Sequence, residues 1–343
     1  METQNAPPAD PPGCLIAGDV GGTKTMIGLF KPTAGRAEPL CLETFSSREA
    51  RGLEAIIEQV LAKHPCPVTA ACFGIAGPVI DGEAATTNLP WVVSEKRLQE
   101  HFGWSRVRLI NDLSATAMTL PFLSPAELAP LNAAPLQGGA NMALVAPGTG
   151  LGQALLIHDR GQYVPVSSEG GHADFAPNDA LEVDLWRVLR RQFGHVSGER
   201  LLSGQGLVNI YEGLKSLGRH SETAQTRAAM QDRDPAWAIT EAALRKDDPL
   251  SRETLARFCR ICGAVAGNLA LTGLATGGVF LGGGIPPKIL PLLKSSEFMI
   301  AFVDKGRLGD FLAKIGVRVI LNDKAALLGA ARAGMQMLPD RTD

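Results

Sequence analysis

Apolar residues along the chain come in short runs broken by glycine, and the runs alternate between strand-like and helix-like spacing. From Cys14 the sequence reads CLIAGDV, a turn, KTMIGLF and then LCLETF, all of strand length. A helical period begins near Leu53 and is followed by VTAACFGIA, the helix EKRLQEHF, the short run VRLIN and a helix from about Asp112. This order predicts an open α/β sheet whose first strands form a hairpin. A Pro- and Ala-rich connector, LSPAELAPLNAAPLQGG, leads into MALVAPGTGLGQALLIH, where strand, glycine turn and strand recur. The same device used twice predicts two α/β units, with residues 1–13 as a disordered lead, 14–121 plus 322–343 as a small domain, and 122–321 as a large one.

Composition narrows the picture. A chain of 343 residues with net charge -2 offers no basic field for nucleic acid or anionic lipid, so a small molecule is the expected partner. The N-terminal METQNAPPADPPG has neither the basic start nor the apolar stretch of a signal peptide. The long uncharged run Ile261 to Pro287 has membrane-spanning length, but Asn268, Thr272, Thr276 and its glycines divide it into a helix and the short strand GVFL. The six cysteines show no framework spacing and fit thiols in a reducing cytoplasm; Cys259 and Cys262 read as ordinary helix residues.

The glycine turns carry the first candidate chemistry. Without a Cβ in the way, GDVGGTKT and APGTGLG can present backbone N–H groups to an anion, although each alone is also what a tight hairpin selects. Neither is a Walker loop. Asp19 is costly to bury unpaired and suits Mg²⁺, directly or through its bound water; it could equally cap the turn. A third cluster, Gly282, Gly283 and Gly284, follows GVFL and would let a flat group such as adenine lie against the backbone, or simply end a strand.

The polar candidates follow. RLINDLSATA sets Asn111 and Asp112 at a strand end opening a helix, where Asp112 is either the N-cap or a carboxylate able to take a proton from a substrate hydroxyl. SSEGGHADFAP, with Glu169 and His172, reads as a binding loop. It has no neighbouring cysteine cluster, so metal ligation is not expected. Glu199, in SGERLLSGQGL, is a candidate ligand or a helix-start acid.

Taken together, GDVGGTKT, INDLSATA, APGTGLGQALL, SEGGHADFAP, GERLLSGQGLVNIY and LGGGI resemble the bacterial glucokinase family, in the family's order and over nearly the whole chain. The resemblance implies the actin and hexokinase-type, ribonuclease H-like fold, two α/β domains with a cleft between them, and ATP-dependent phosphorylation of D-glucose at O6 feeding glycolysis. It implies Asp112 as the catalytic base and Asn88, Asn111, Asp112, Glu169, His172 and Glu199 as the glucose-binding set. For ATP it implies Gly18, Asp19, Val20, Gly21, Gly22 and Thr23 in the first phosphate loop, Gly148, Thr149 and Gly150 in the second, and Gly282 to Gly284 on the nucleotide side. It further implies a cytoplasmic homodimer. The related repressor-and-kinase sugar family carries zinc-binding cysteines after its His172 equivalent. The chain reads HADFAPNDALEVD there, which implies ATP and Mg²⁺ but no zinc. A kinase for another hexose and a non-catalytic sugar sensor are the competing readings; the sensor would be favoured by a degraded Asp112 or first glycine turn, and both are intact.

Overall fold

The two apolar runs flanking the first glycine turn pair as an antiparallel hairpin, β1 (Cys14–Val20) with β2 (Lys24–Phe30). They belong to a computed structural model that describes residues 13–33, 35–86, 89–295 and 297–339. The chain divides into two units, residues up to Phe122 together with those from Asp323 onward, and Leu123–Asn322.

In the first unit the hairpin is followed by β3 (Pro39–Ser46), α1 (Leu53–Lys63), β4 (Val68–Ile75), β5 (Glu83–Ala85), β6 (Val92–Ser94), α2 (Glu95–Phe102), β7 (Val107–Asn111) and α3 (Asp112–Thr119). The main sheet has the order β3-β2-β1-β4-β7, with β1, β4 and β7 parallel. Side chains of β1 alternate between two cores: Cys14, Ile16 and Val20 face one, Leu15 and Ala17 the other. Covering both faces explains why this strand is apolar at nearly every position.

The second unit contains β8 (Leu128–Pro130), β9 (Met142–Pro147), β10 (Leu151–Asp159), β11 (Gln162–Ser168), α4 (Ala180–Phe193), α5 (Gly204–Ser216), α6 (Ala224–Asp232), α7 (Pro235–Arg245), α8 (Pro249–Thr272), β12 (Gly278–Leu281), α9 (Leu290–Ser295), α10 (Phe298–Val303), α11 (Gly309–Ala313) and β13 (Val317–Ile320). Its sheet has the order β11-β10-β9-β12-β13-β8. The connector expected to be a linker thus holds β8, an edge strand paired antiparallel with β13. Helices α7 and α8 both start at Asp-Pro, where Asp234 and Asp248 cap through their carboxylates and Pro stands at the first helical position. The uncharged run divides into the end of α8 and β12, and among the described residues no helix is long and apolar enough to cross a membrane.

The chain returns to the first unit with α12 (Ala325–Met335), a helix of small residues that covers the Leu15 and Ala17 face. Its fit against α3 depends on Gly329, where a Cβ would lie 1.6 Å from the Ala115 carbonyl oxygen. One sequence expectation fails here. Cys14 and Cys66, read as thiols, form a disulfide with a Cα separation of 6.3 Å. Residues 52 apart in sequence meet because Cys14 opens β1 and donates its N–H to the Pro67 carbonyl just before β4. Chain spacing alone could not reveal that neighbourhood. Cys259 and Cys262 are buried thiols of α8, in agreement with the sequence reading.

Candidate active site

In the first unit the candidate residues collect at the carboxyl ends of the parallel strands. The register sets Asp19 beside Gly74 and Gly74 beside Ile110, with Val20, Ile75 and Asn111 in the next row. Side-chain alternation along β1 puts Asp19 on the face shared with Leu15 and Ala17, the face covered by α3 and α12. Gly74 lets α3 come close: a Cβ there would lie 3.1 Å from Ala115 Cβ and 3.6 Å from Asp112 Cα.

The two acids sense each other. The Asp19 carboxyl is raised from 3.8 to about 6, first by burial and then by the charge of Asp112, with partial relief from Lys24. Its ionised form is short of compensation, the condition that a divalent cation would relieve. The Asp112 N-cap reading is corrected: Asn111 is the cap. Its Oδ1 accepts from Leu113 N–H at 3.0 Å and Ser114 N–H at 3.3 Å, while Nδ2 donates to the Gly77 carbonyl at 3.1 Å. Asp112 stands at the first helical position and accepts from Leu113 N–H at 2.9 Å.

The first glycine turn is closed by a Gly21 N–H bond to the Lys24 carbonyl at 3.1 Å. Neither Gly21 nor Gly22 has a positive φ, so glycine is not required at either position by backbone conformation. Among the described residues the N–H groups of Gly22 and Thr23 meet no acceptor, which leaves two donors for an anion.

The second unit repeats the arrangement. Gly148, Thr149 and Gly150 join β9 to β10, and Gly148 N–H closes the turn on the Gly150 carbonyl at 2.8 Å. Because β9 and β12 are parallel, Gly282 to Gly284 emerge beside this turn, and Gly282 N–H donates to the Val145 carbonyl. Here one glycine is obligatory: Gly283 has φ 79°, and a Cβ would lie 2.4 Å from the Pro147 carbonyl oxygen. The N–H groups of Thr149, Gly150, Gly283 and Gly284 meet no acceptor among the described residues.

Glu169, His172 and Glu199 come together beside that turn. His172 Nδ1 is 3.9 Å from Glu199 Oε1, and its Nε2 is 4.0 Å from Glu169 Oε2. Glu199 lies in the first turn of the short 3-10 helix Gly198–Arg200, and its Oε2 also accepts from Leu151 N–H at 2.9 Å. Gly171 allows this packing, since a Cβ would fall 1.9 Å from the Leu151 carbonyl oxygen. The remaining carboxylate and imidazole edges suit hydroxyl groups. Among the described residues no set of three or more His, Cys, Asp or Glu is arranged to hold a metal ion. Asn88 lies outside the described residues. Sequence reasoning missed Ser47, whose buried hydroxyl donates to the Gly21 carbonyl at 2.7 Å; no motif marks it.

Two sheets that share one order over five strands, each with a glycine-turn hairpin, and the acid pair at the strand ends of the first fit a sugar kinase of the actin and hexokinase-like fold. A family model described as Glucokinase matches residues 16–337. A glucokinase of Nostoc punctiforme is 39% identical over 332 residues, covering 92% of this chain and 97% of that protein. The crystal structure of a glucokinase from an Antarctic psychrotroph matches with TM-score 0.85 and 28% identity, covering 94% of this chain and 99% of the other. An ROK-family glucokinase from Streptomyces griseus, solved with glucose and AMPPNP, shares the fold at TM-score 0.61 and 23% identity, covering 94% and 100%. The chain belongs to the glucokinase family.

Proposed function

We propose that this chain transfers the γ-phosphoryl group of ATP to O6 of D-glucose. The observation that carries the reading is the pair of acids at the strand ends of the first unit, one raised by burial and by its neighbour, in a chain of the glucokinase family. In the reaction the O6 oxygen bonds to the γ-phosphorus, the bond from that phosphorus to the β,γ-bridging oxygen breaks, and ADP leaves. Asp112 accepts the O6 proton, a role that its exit from a strand onto the first turn of α3 suits.

Glu169, His172 and Glu199 read the sugar hydroxyls, and the second Nδ2 hydrogen of Asn111 is left for one more, its other bonds holding the cap. Gly22 and Thr23 N–H, with Thr149 and Gly150 N–H, take phosphate oxygens, while Gly283 and Gly284 face the nucleoside. Asp19 is the residue for Mg²⁺, which when bound supplies charge neutralisation to the phosphates. We further propose that no zinc is held and that the working form is a homodimer, in the cytoplasm.

A coupled assay with ATP across glucose, mannose, fructose, glucosamine and N-acetylated sugars tests the reading. Glucose should give the highest kcat/KM, because an epimer leaves unpaired the ligand groups that a bound sugar takes out of water. A higher value for another hexose moves the chain to that substrate, and no phosphorylation of any favours the sensor. One tightly bound zinc per chain, lost together with activity, would reassign the branch.

A further inference from the structure

Ser47 follows β3, is fully buried, and lies outside the motifs that carry the family resemblance. It contacts the first glycine turn twice. Its N–H donates to the Thr23 carbonyl at 3.0 Å, and its Oγ–H donates to the Gly21 carbonyl at 2.7 Å. Behind it stands Thr25, equally buried, with its Oγ1 at 2.8 Å from Ser47 Oγ. Since the Ser47 proton goes to a carbonyl, the proton between the two hydroxyls belongs to Thr25. The chain therefore runs from Thr25 to Ser47 to the Gly21 carbonyl.

The consequence comes from peptide geometry. In a trans peptide the carbonyl and the following N–H point in opposite directions within one plane. Fixing the Gly21 carbonyl inward on Ser47 turns the Gly22 N–H outward, and that N–H meets no acceptor among the described residues. Glycine at both positions leaves this plane otherwise free to rotate, because no Cβ restrains it. A buried side chain thus supplies the rigidity that the twin glycines give up.

We infer that Ser47 is a positioning residue for ATP: it holds the Gly21–Gly22 peptide so that Gly22 N–H faces a phosphate oxygen. This rests on the proposed kinase reading, and the two fail differently. If that reading is wrong, the unaltered protein lacks ATP-dependent sugar phosphorylation; if this inference is wrong, it phosphorylates glucose and the Ser47 variants do so with ordinary ATP dependence.

The experiment compares Ser47→Ala, Ser47→Cys and Thr25→Val in the full chain by steady-state kinetics with ATP and glucose varied separately. Ser47→Ala removes the hydroxyl and leaves the Gly21 carbonyl unbonded; Ser47→Cys keeps the shape with a weak donor. Both should raise the KM for ATP about tenfold while the KM for glucose stays within about twofold. Thr25→Val removes the other hydroxyl of the same buried pair without touching the Ser47 to Gly21 bond, so it should leave the ATP KM unchanged even where it lowers Tm. Should Ser47→Ala fail to fold, Ser47→Cys carries the same comparison. An unchanged ATP KM in a folded Ser47 variant overturns the inference, as does an equal rise in both KM values shared by Thr25→Val, which would mark the hydroxyl pair as packing alone.

Discussion

The two hairpins of this protein, β1 to β2 in one unit and β9 to β10 in the other, use the same device to different ends. Each is flanked by a third antiparallel strand on one side and by two parallel strands on the other. Each ends in a glycine turn with N–H groups left over. The strand ends differ: Asp19 lies two residues before Gly21, whereas the residue two before Gly148 is Ala146. The repetition extends further, to the sequences VRLIND at β7 and VRVILND at β13, each leading to a helix. Both copies thus carry Asn-Asp at a strand end, Asn111 and Asp112 in one and Asn322 and Asp323 in the other, and what separates them is Asp19 before the first glycine turn against Ala146 before the second. A turn with a carboxylate beside it suits phosphate oxygens together with their cation, and a neutral turn suits phosphate oxygens through its N–H groups alone. A shared scaffold fixes where loops emerge; single side chains at the strand ends decide what each loop can hold.

Removing the proposed base of the first unit should have the largest effect. Asp112→Asn keeps hydrogen bonding but cannot take the proton, so turnover should fall by about 10² to 10⁴ while glucose binding measured by calorimetry is retained. Near-normal turnover in the folded variant would leave the acid end of the first unit with no catalytic distinction.

The next difference is covalent. The hairpin of the first unit is anchored at its base by the Cys14–Cys66 disulfide, which spans 52 residues; among the described residues the second hairpin has no counterpart. Closing a loop of that length is worth roughly 2–4 kcal/mol through the unfolded state. Mild reductant, or Cys14→Ser with Cys66→Ser, should lower the transition belonging to the first unit and leave the other in place by calorimetry. Equal loss in both transitions would show that the units do not unfold separately.

The glycines sharpen the comparison, since the loop after β12, beside the second hairpin, and the first hairpin turn need them for different reasons. Gly283→Ala forces a Cβ onto the Pro147 carbonyl at an unfavourable φ, so it should cost about 1–3 kcal/mol of stability as well as weaken ATP use. Gly22 has no positive φ, so Gly22→Val should leave stability within about 1 kcal/mol yet raise the ATP KM by about tenfold, with glucose binding kept. Unchanged ATP kinetics in Gly22→Val would make the first turn a plain hairpin.

Much of this was legible in the sequence because strand periodicity and glycine punctuation are local signals. The hairpins, α3 and the division of the uncharged run into α8 and β12 all follow from neighbours along the chain. The convergence of Glu169, His172 and Glu199 was implied only by family resemblance, because contact between residues 30 apart has no periodic signature. Ser47 and the Cys14–Cys66 pair escaped for the same reason: each acts on a segment far along the chain, through contacts that no pattern announces. The strand β8 was hidden by the prolines of its connector, and it survives because an edge strand with Pro130 needs only one ladder. Asn111 displaced Asp112 as the cap because its amide can accept from the helix and donate to Gly77 at once, which a carboxylate cannot do.

The smallest expected effect concerns the acid that the second copy lacks. Asp19 is raised from 3.8 to about 6 by burial and by Asp112, so between those two pH values the folded chain keeps a proton that the unfolded chain has released. Stability then falls as pH rises through this window, because the native state binds more protons than the unfolded one, and above about pH 6 the ionised group is a standing cost. With partial solvent contact taken into account that cost is on the order of 1–2 kcal/mol. Asp19→Asn cannot ionise. Without nucleotide or Mg²⁺ it should therefore be the more stable form at pH 7.5, and its advantage should vanish near pH 4, where the wild-type carboxyl is protonated. Mg²⁺ with ATP at pH 7.5 should reverse the order, stabilising the wild type more than the variant, because a cation compensates the carboxylate and not the amide. Denaturant unfolding of both proteins at the two pH values, with and without Mg²⁺ and ATP, measures all four differences. An advantage for Asp19→Asn that is the same at both pH values and persists with Mg²⁺ and ATP would mean that the carboxylate faces no cation, and the contrast drawn between the two hairpins would reduce to a difference in packing.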